Sequence, residues 1–95
     1  MRIPGDIKAT IVEVVGSEAC WEQAWPGKNR ISVMIRDLTA LACRLRCLTQ
    51  VEAAAMVGVS TRQFRRMIER LEMDCKHDRK LREWRDRMIE RMNND

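Results

Sequence analysis

Apolar side chains recur at helical spacing in the first quarter of the chain, where two short helices are predicted. Residues 7–15 carry the first apolar pattern, with Asp6 placed to cap that helix and Gly16 placed to end it. Ser17 follows at once and is placed to cap a second helix over residues 18–25. The sequence therefore predicts two consecutive helices separated by one glycine turn.

The next apolar segment has a pattern that fits two kinds of structure. Ile31, Val33 and Ile35 alternate as they would in a strand. A longer stripe at helical spacing overlaps them and favours a helix from about residue 32 to 47, with a short strand near residues 29–33 as the alternative. The helical stripe consists of Ile31, Ile35, Leu38, Ala42 and Leu45.

The last part of the chain predicts one amphipathic helix over residues 74–95, which can pack on its own chain or on a partner helix. Its narrow apolar stripe lies among opposite charges four residues apart, which support an exposed helix. The stripe consists of Leu81, Trp84, Met88 and Met92. Together the patterns predict an all-α fold in one domain, residues 1–95. Its parts are an N-terminal helical region (1–28), a core (32–72) and the C-terminal helix.

Two helix starts lie eleven residues apart in the middle of the chain. Thr49-x-x-Glu52 is a capping box, and Ser60-x-x-Gln63 is a second one. In a capping box the hydroxyl of the first residue accepts a hydrogen bond from the backbone N–H three residues on, which favours a helix at that point. Each box therefore predicts the start of a helix.

A glycine corner is predicted between these two helices. The first helix, about residues 50–57, ends at Gly58, a position that favours a left-handed backbone. Val59 is apolar between polar neighbours and is expected to fill the corner, and the second helix starts at Thr61. The pattern predicts two helices joined by a tight turn.

The second helix of this pair has one apolar face and one basic face. At 100° per residue, Arg62, Arg66 and Glu69 lie roughly opposite the apolar face, and Arg65 lies on its flank. Glu69 is expected to pair with Arg65, and Arg70 is assigned to the solvated surface. The apolar face consists of Phe64, Met67, Ile68 and Leu71.

The charge distribution indicates that this pair of helices lies in a basic part of the chain. The formal net charge is +4, and residues 1–40 hold five basic and five acidic side chains. The whole excess therefore lies in residues 41–95, with the arginine-rich helix near their centre. A basic segment on a neutral body favours a polyanionic partner, most often nucleic acid. From periodicity alone, an ordinary helical hairpin fits equally well.

The stretch from Gln50 to Ile68 resembles the helix-turn-helix of bacterial and phage DNA-binding proteins. The match includes a small residue in the first helix, a turn glycine four positions later and apolar residues in register. These scaffold positions are Ala54, Gly58, Val59, Phe64 and Met67. Phenylalanine stands where that family most often has a β-branched aliphatic residue.

The resemblance implies sequence-specific binding of double-stranded DNA, with residues 61–71 as the recognition helix in the major groove. Arginine suits guanine and glutamine suits adenine, because each can form two hydrogen bonds with that base. Ser60, Thr49 and the first amides of residues 50–57 are expected to hold phosphates. The other expected contact residues are Thr61, Arg62, Gln63, Arg65 and Arg66.

Gly16, Gly27 and Ile31 come before the helix-turn-helix. They occupy places that give the first half of the chain a weaker resemblance to the Mor/C group of phage transcription activators. It implies a dimeric phage, prophage or bacterial transcriptional regulator. The dimer contact would come from the N-terminal helices with Trp21 and Trp25, or from the C-terminal helix. Two alternatives are a phage DNA-packaging subunit of the small-terminase kind, which forms a ring, and a helical adaptor that binds proteins rather than DNA.

No constellation of catalytic residues stands out, so no enzyme activity and no cofactor are expected. Cys43, Cys47, Cys75 and His77 are metal ligands by type, but their spacing is not that of a zinc finger. Buried, inert cysteines are favoured instead, and no metal is expected. No apolar run approaches the 18 or so residues of a membrane span. The expected location is therefore the cytoplasm, in association with the nucleoid and away from membranes.

Overall fold

The computed structural model describes residues 2–94, which form six α-helices and no strand. In chain order these are α1 (Gly5–Val15), α2 (Glu18–Ala24), α3 (Arg30–Arg46), α4 (Gln50–Val57), α5 (Thr61–Cys75) and α6 (Arg79–Asn93). The predicted all-α fold is confirmed. The alternative strand near residues 29–33 is wrong, because the Asn29 side chain accepts a hydrogen bond from Ser32 N (2.9 Å) and so caps α3 there.

Helix α3 is the centre of the fold and contacts each of the other five helices. The predicted stripe is buried at Ile35, Leu38 and Ala42, which are fully enclosed. Ile31 and Leu45, at the two ends of the stripe, also lie in α3 as predicted but are about half exposed. Both lie in the terminal turns of α3, outside the part of this helix that its neighbours cover.

The first helix begins differently from the prediction. Pro4 occupies the N-cap position of α1 without a side-chain hydrogen bond, so Asp6 is not the cap. Asp6 lies instead in the first turn and pairs with Arg46 at 2.7 Å, a contact that lowers the pKa of the Asp6 carboxyl. The other two predictions here are confirmed, since Gly16 (φ 86°) ends α1 and the Ser17 hydroxyl caps α2.

The boundary between α5 and α6 lies later than the predicted start at residue 74. Helix α5 runs on to Cys75, and α6 begins at Arg79 because the Asp78 carboxylate accepts a hydrogen bond from Leu81 N (3.0 Å). The same carboxylate forms an ion pair with Arg30 (Nη2–Oδ2 3.2 Å), which connects the start of α3 to the α5–α6 corner. The cap and this ion pair both lower the pKa of Asp78.

The apolar faces expected to form a dimer contact are covered within the chain itself. Leu81, Trp84 and Met88 of α6 are buried, and α6 contacts α1 and α3. Trp21 is also buried and meets Trp25 edge to face, with 5.2 Å between ring centroids. The C-terminal helix therefore packs on its own chain, and these side chains leave little surface for a second copy.

The four cysteines are free thiols, and Cys43 and Cys75 are buried. Burial raises the pKa of the Cys43 thiol to about 12, which keeps it protonated near neutral pH. Within residues 2–94 no three potential metal ligands of the His, Cys, Asp or Glu type gather at one place. None of the six helices is both long enough and apolar enough to cross a membrane.

Replacing Phe64 tests how α5 is anchored, because this ring is completely buried in the core. We expect Phe64→Ala to lower the free energy of unfolding by about 3–5 kcal/mol, measured by urea denaturation. The exposed neighbour Arg65→Ala is the control and should change it by no more than about 0.5 kcal/mol. Equal effects of the two substitutions would show that α5 is not anchored through Phe64.

Candidate nucleic-acid interface

Helices α4 and α5 meet at a tight corner of three residues, Gly58 to Ser60. Gly58 has φ 85° and donates its N–H to the carbonyls of Ala54 (2.9 Å) and Ala55 (3.2 Å). Its left-handed backbone is costly for any residue with a side chain, by roughly 1–2 kcal/mol, which explains the glycine. Val59 is half buried and packs on the core, so the corner has the geometry that its sequence predicts.

The two helix starts lie beside each other, and both predicted caps are confirmed. The Thr49 hydroxyl accepts a hydrogen bond from Glu52 N (3.2 Å), and the Ser60 hydroxyl accepts one from Gln63 N (3.1 Å). Gln50 reaches across to the Thr61 carbonyl at 3.5 Å and links the two starts. Both capping hydroxyls are on exposed residues, and each keeps its own proton to donate to an outside acceptor.

Helix α5 is turned so that its apolar face enters the core and its basic face meets solvent. Its buried residues are Phe64, Met67, Leu71 and Cys75, so the larger ring of Phe64 is accommodated without exposure. All five expected contact residues on this helix are exposed: Thr61, Arg62, Gln63, Arg65 and Arg66. The structure thus brings every one of them to the surface of the first two turns of α5.

The arginines of this surface have no acidic partner among the residues that the structure describes. Among residues 2–94, no ion pair involves Arg62, Arg65 or Arg66, and the expected pair between Arg65 and Glu69 is wrong. Many other basic side chains do have acidic partners: Lys8, Arg30, Arg46, Arg70, Arg79, Arg85 and Arg91. The ion pairs therefore leave uncompensated positive charge on the outer face of α5.

Arg70 was assigned to the solvated surface from the sequence, and it is exposed, but it also makes an ion pair that the sequence did not predict. Its guanidinium binds both carboxylate oxygens of Asp37 on α3, with Nε–Oδ2 and Nη2–Oδ1 both at 2.7 Å. The Asp37 side chain is 1% exposed, whereas that of Arg70 is 45% exposed. The pair therefore joins the centre of the fold to α5, with one partner buried and the other at the surface.

Burial and pairing act in opposite directions on Asp37. Burial raises the pKa of its carboxyl, and the Arg70 guanidinium offsets only part of this rise. The same contact raises the pKa of Arg70, which stays charged. The signal in the sequence was Asp37 itself, an acidic residue between apolar positions of α3. Its partner lies 33 residues away and could not be chosen from several arginines on α5.

Comparisons of the chain with models of protein families, with curated proteins and with solved structures find no match.

Removing Arg70 tests the connection between α3 and α5, because it leaves the Asp37 carboxylate buried without its partner. We expect Arg70→Ala to lower the free energy of unfolding by about 1–3 kcal/mol, the cost of an unsatisfied buried group. The half-exposed guanidinium keeps this below the 3–5 kcal/mol of fully buried pairs. Urea denaturation measures the change.

Arg66→Ala is the matched control for Arg70→Ala, since it removes an unpaired arginine one turn earlier on the same helix. Its effect on the free energy of unfolding should stay within about 0.5 kcal/mol. If the two substitutions have the same effect, the Asp37–Arg70 pair does not hold α5.

Proposed function

We propose that α4 and α5 form a helix-turn-helix and that the protein binds double-stranded DNA with α5 in the major groove. One observation carries this proposal. Arg62, Arg65 and Arg66 are exposed together at the start of α5 and have no ion pair in residues 2–94. An unpaired arginine is not costly to stability when water solvates it. Such arginines contribute binding free energy when a polyanion supplies the missing partners.

The first turns of α5 offer side chains suited to reading bases. Arg62 and Arg66 lie near the middle of the outer face, and Gln63 lies on its flank. An arginine fork matches the two acceptors of guanine, and a glutamine amide matches adenine. Each such contact discriminates against a wrong base by about 1–3 kcal/mol. Thr61 is the first residue of α5 and is exposed on the flank of Arg65, where a short side chain can also reach base edges.

The helix starts would hold the DNA backbone and so fix the register of α5. Thr49 and Ser60 keep a hydroxyl proton each for a phosphate oxygen, as described above. The free amides in the first turn of α4 carry partial positive charge and add to this. Contacts of this kind position a protein on DNA without reading its sequence.

The form of this function that we propose is a dimeric transcriptional regulator of bacterial or phage type. A single α5 offers few contacts, and two copies on half-sites one helical turn apart, about 34–36 Å, multiply the affinity. Because Trp21 and Trp84 are buried within the chain, the dimer contact has to use other surface.

A protein-binding adaptor is the second candidate, and one observation favours it. Three large apolar side chains are exposed at the α3–α4 corner: Leu45 by 50%, Leu48 by 91% and Val51 by 66%. Exposed apolar side chains close together often mark a surface that contacts another protein. This candidate predicts that the arginines of α5 can be removed without loss of function.

The direct test is fluorescence anisotropy of a labelled random-sequence duplex, titrated with protein at several salt concentrations. We expect salt-sensitive binding that weakens at least tenfold in the variant Arg62→Ala/Arg66→Ala, because two of the proposed contacts are lost. The matched control is Arg82→Ala/Arg87→Ala, which removes the same charge from exposed positions of α6.

Two results would count against DNA binding by α5. Absence of binding at low salt by the folded protein would overturn the proposal and favour the adaptor. An equal loss in the α5 variant and the α6 control would mean that only net charge matters and that α5 has no special role.

The oligomeric state separates the regulator from a packaging subunit. One chain has a mass of 11.2 kDa. Light scattering coupled to size exclusion should give about twice this mass for the dimer that we propose. A mass of many subunits would favour the ring of a packaging protein. A single-chain mass, both free and on DNA, would contradict dimerisation.

A further inference from the structure

A groove runs along one flank of α5, between this helix and the connection from α2 to α3. We call it the loop groove; it has a volume of about 560 Å³. Trp25 and the connection Pro26-Gly27-Lys28 form one wall, and Gln63, Met67 and Arg70 form the other. Arg36 and the α4–α5 corner complete it. The loop groove therefore adjoins the face of α5 to which DNA binding is assigned above.

The wall formed by the connection is held rigidly against α3. Nη1 of Arg36 donates to the carbonyls of Ala24 (3.1 Å), Trp25 (3.4 Å) and Gly27 (2.7 Å). A Cβ on Gly27 would lie 2.5 Å from the backbone carbonyl oxygen of Gln23 and would also crowd the Ser32 hydroxyl, so this close approach favours glycine. Lys28 thus extends from a backbone whose position is fixed, which is what a preorganised contact needs.

The loop groove lies on the opposite flank of α5 from the α3–α4 corner. At 100° per residue, Gln63 and Arg65 point about 160° apart around the helix axis. Arg65 borders a shallow depression that reaches Gln50 of α4, whereas Gln63 borders the loop groove. A major groove about 12 Å wide closely encloses a helix 10–12 Å across, so each flank of the helix faces one DNA strand.

The charges of the two flanks differ. The residues that line the loop groove include three cations, Lys28, Arg36 and Arg70, and no acid. The depression on the other flank is lined by two arginines and by two acids, Glu69 and Glu72, so its charges balance and its acids repel phosphate. Lys28 is exposed and has no ion pair among the described residues. Arg70 uses Nε and Nη2 on Asp37, so its Nη1 is the donor that this pair does not use.

We infer that the loop groove holds the sugar-phosphate backbone of one strand of the duplex that α5 reads. Lys28 and Nη1 of Arg70 donate to its phosphates, one from each wall. Asp37 acts through Arg70 as a positioning residue, because it fixes the direction of the guanidinium. This inference rests on the proposed function and extends its contact surface beyond α4 and α5 to the connection before α3.

The test is the salt dependence of duplex binding by Lys28→Ala, measured by anisotropy beside wild type. Loss of one phosphate contact should reduce the slope of log affinity against log salt by about 0.9. Affinity at 0.1 M salt should fall roughly fivefold to tenfold, by the same amount for duplexes of different sequence. Thermal unfolding should not change, since Lys28 is exposed.

Lys8→Ala is the control, because it removes a lysine from α1, which does not contact α5, although it also releases Glu18 from its ion pair with Lys8. If Lys28→Ala binds like Lys8→Ala while Arg62→Ala/Arg66→Ala still loses affinity, the inference is overturned and the proposed function stands. If wild type binds no duplex, both are overturned.

A second measurement locates the phosphate itself. On a duplex obtained by site selection, ethylation neutralises one phosphate at a time, and the modified positions that prevent binding mark the backbone contacts. We expect one such phosphate, on the strand beside the loop groove, to lose its importance in Lys28→Ala and to keep it in Lys8→Ala. An ethylation pattern that is identical in all three proteins would contradict the inference.

Discussion

The bidentate contact between Asp37 and Arg70 holds α5 in the orientation that exposes its basic face to solvent. The carboxylate lies on the central helix α3 and is 1% exposed, so its charge needs a partner in the folded state. Rotation of α5 about its axis would break both 2.7 Å hydrogen bonds. It would also withdraw Phe64 from the core. With the helix held in this way, Arg62 and Arg66 can only face outward.

The ion pairs elsewhere in the fold determine where positive charge is left over. Contacts such as Arg30 with Asp74 and Arg91 with Glu13 connect different helices, and each gives its arginine an acidic partner. Individually, exposed pairs of this kind add little to stability. No ion pair among residues 2–94 involves the three exposed arginines in the first two turns of α5, so the outer face of this helix keeps their positive charge.

Features determined by near neighbours in the sequence could be predicted, and features that depend on packing could not. The caps at Thr49 and Ser60 and the turn at Gly58 are local, and the structure confirms them. Pairing of Arg70 with Asp37 depends on how α3 and α5 cross, which no local pattern contains. The stripe with Trp84 was visible, but the sequence did not show that α1 and α3 cover it.

The central claim is that the first turns of α5 and the loop groove contact DNA, and amide chemical shifts measured by NMR test it most directly. On addition of a short duplex, the account predicts the largest shifts at residues 60–66 and at residues 27–28. Amides of α1 and of the exposed side of α6 should change little. Shifts centred on the exposed apolar residues 45–51, or none at duplex excess, would contradict the account.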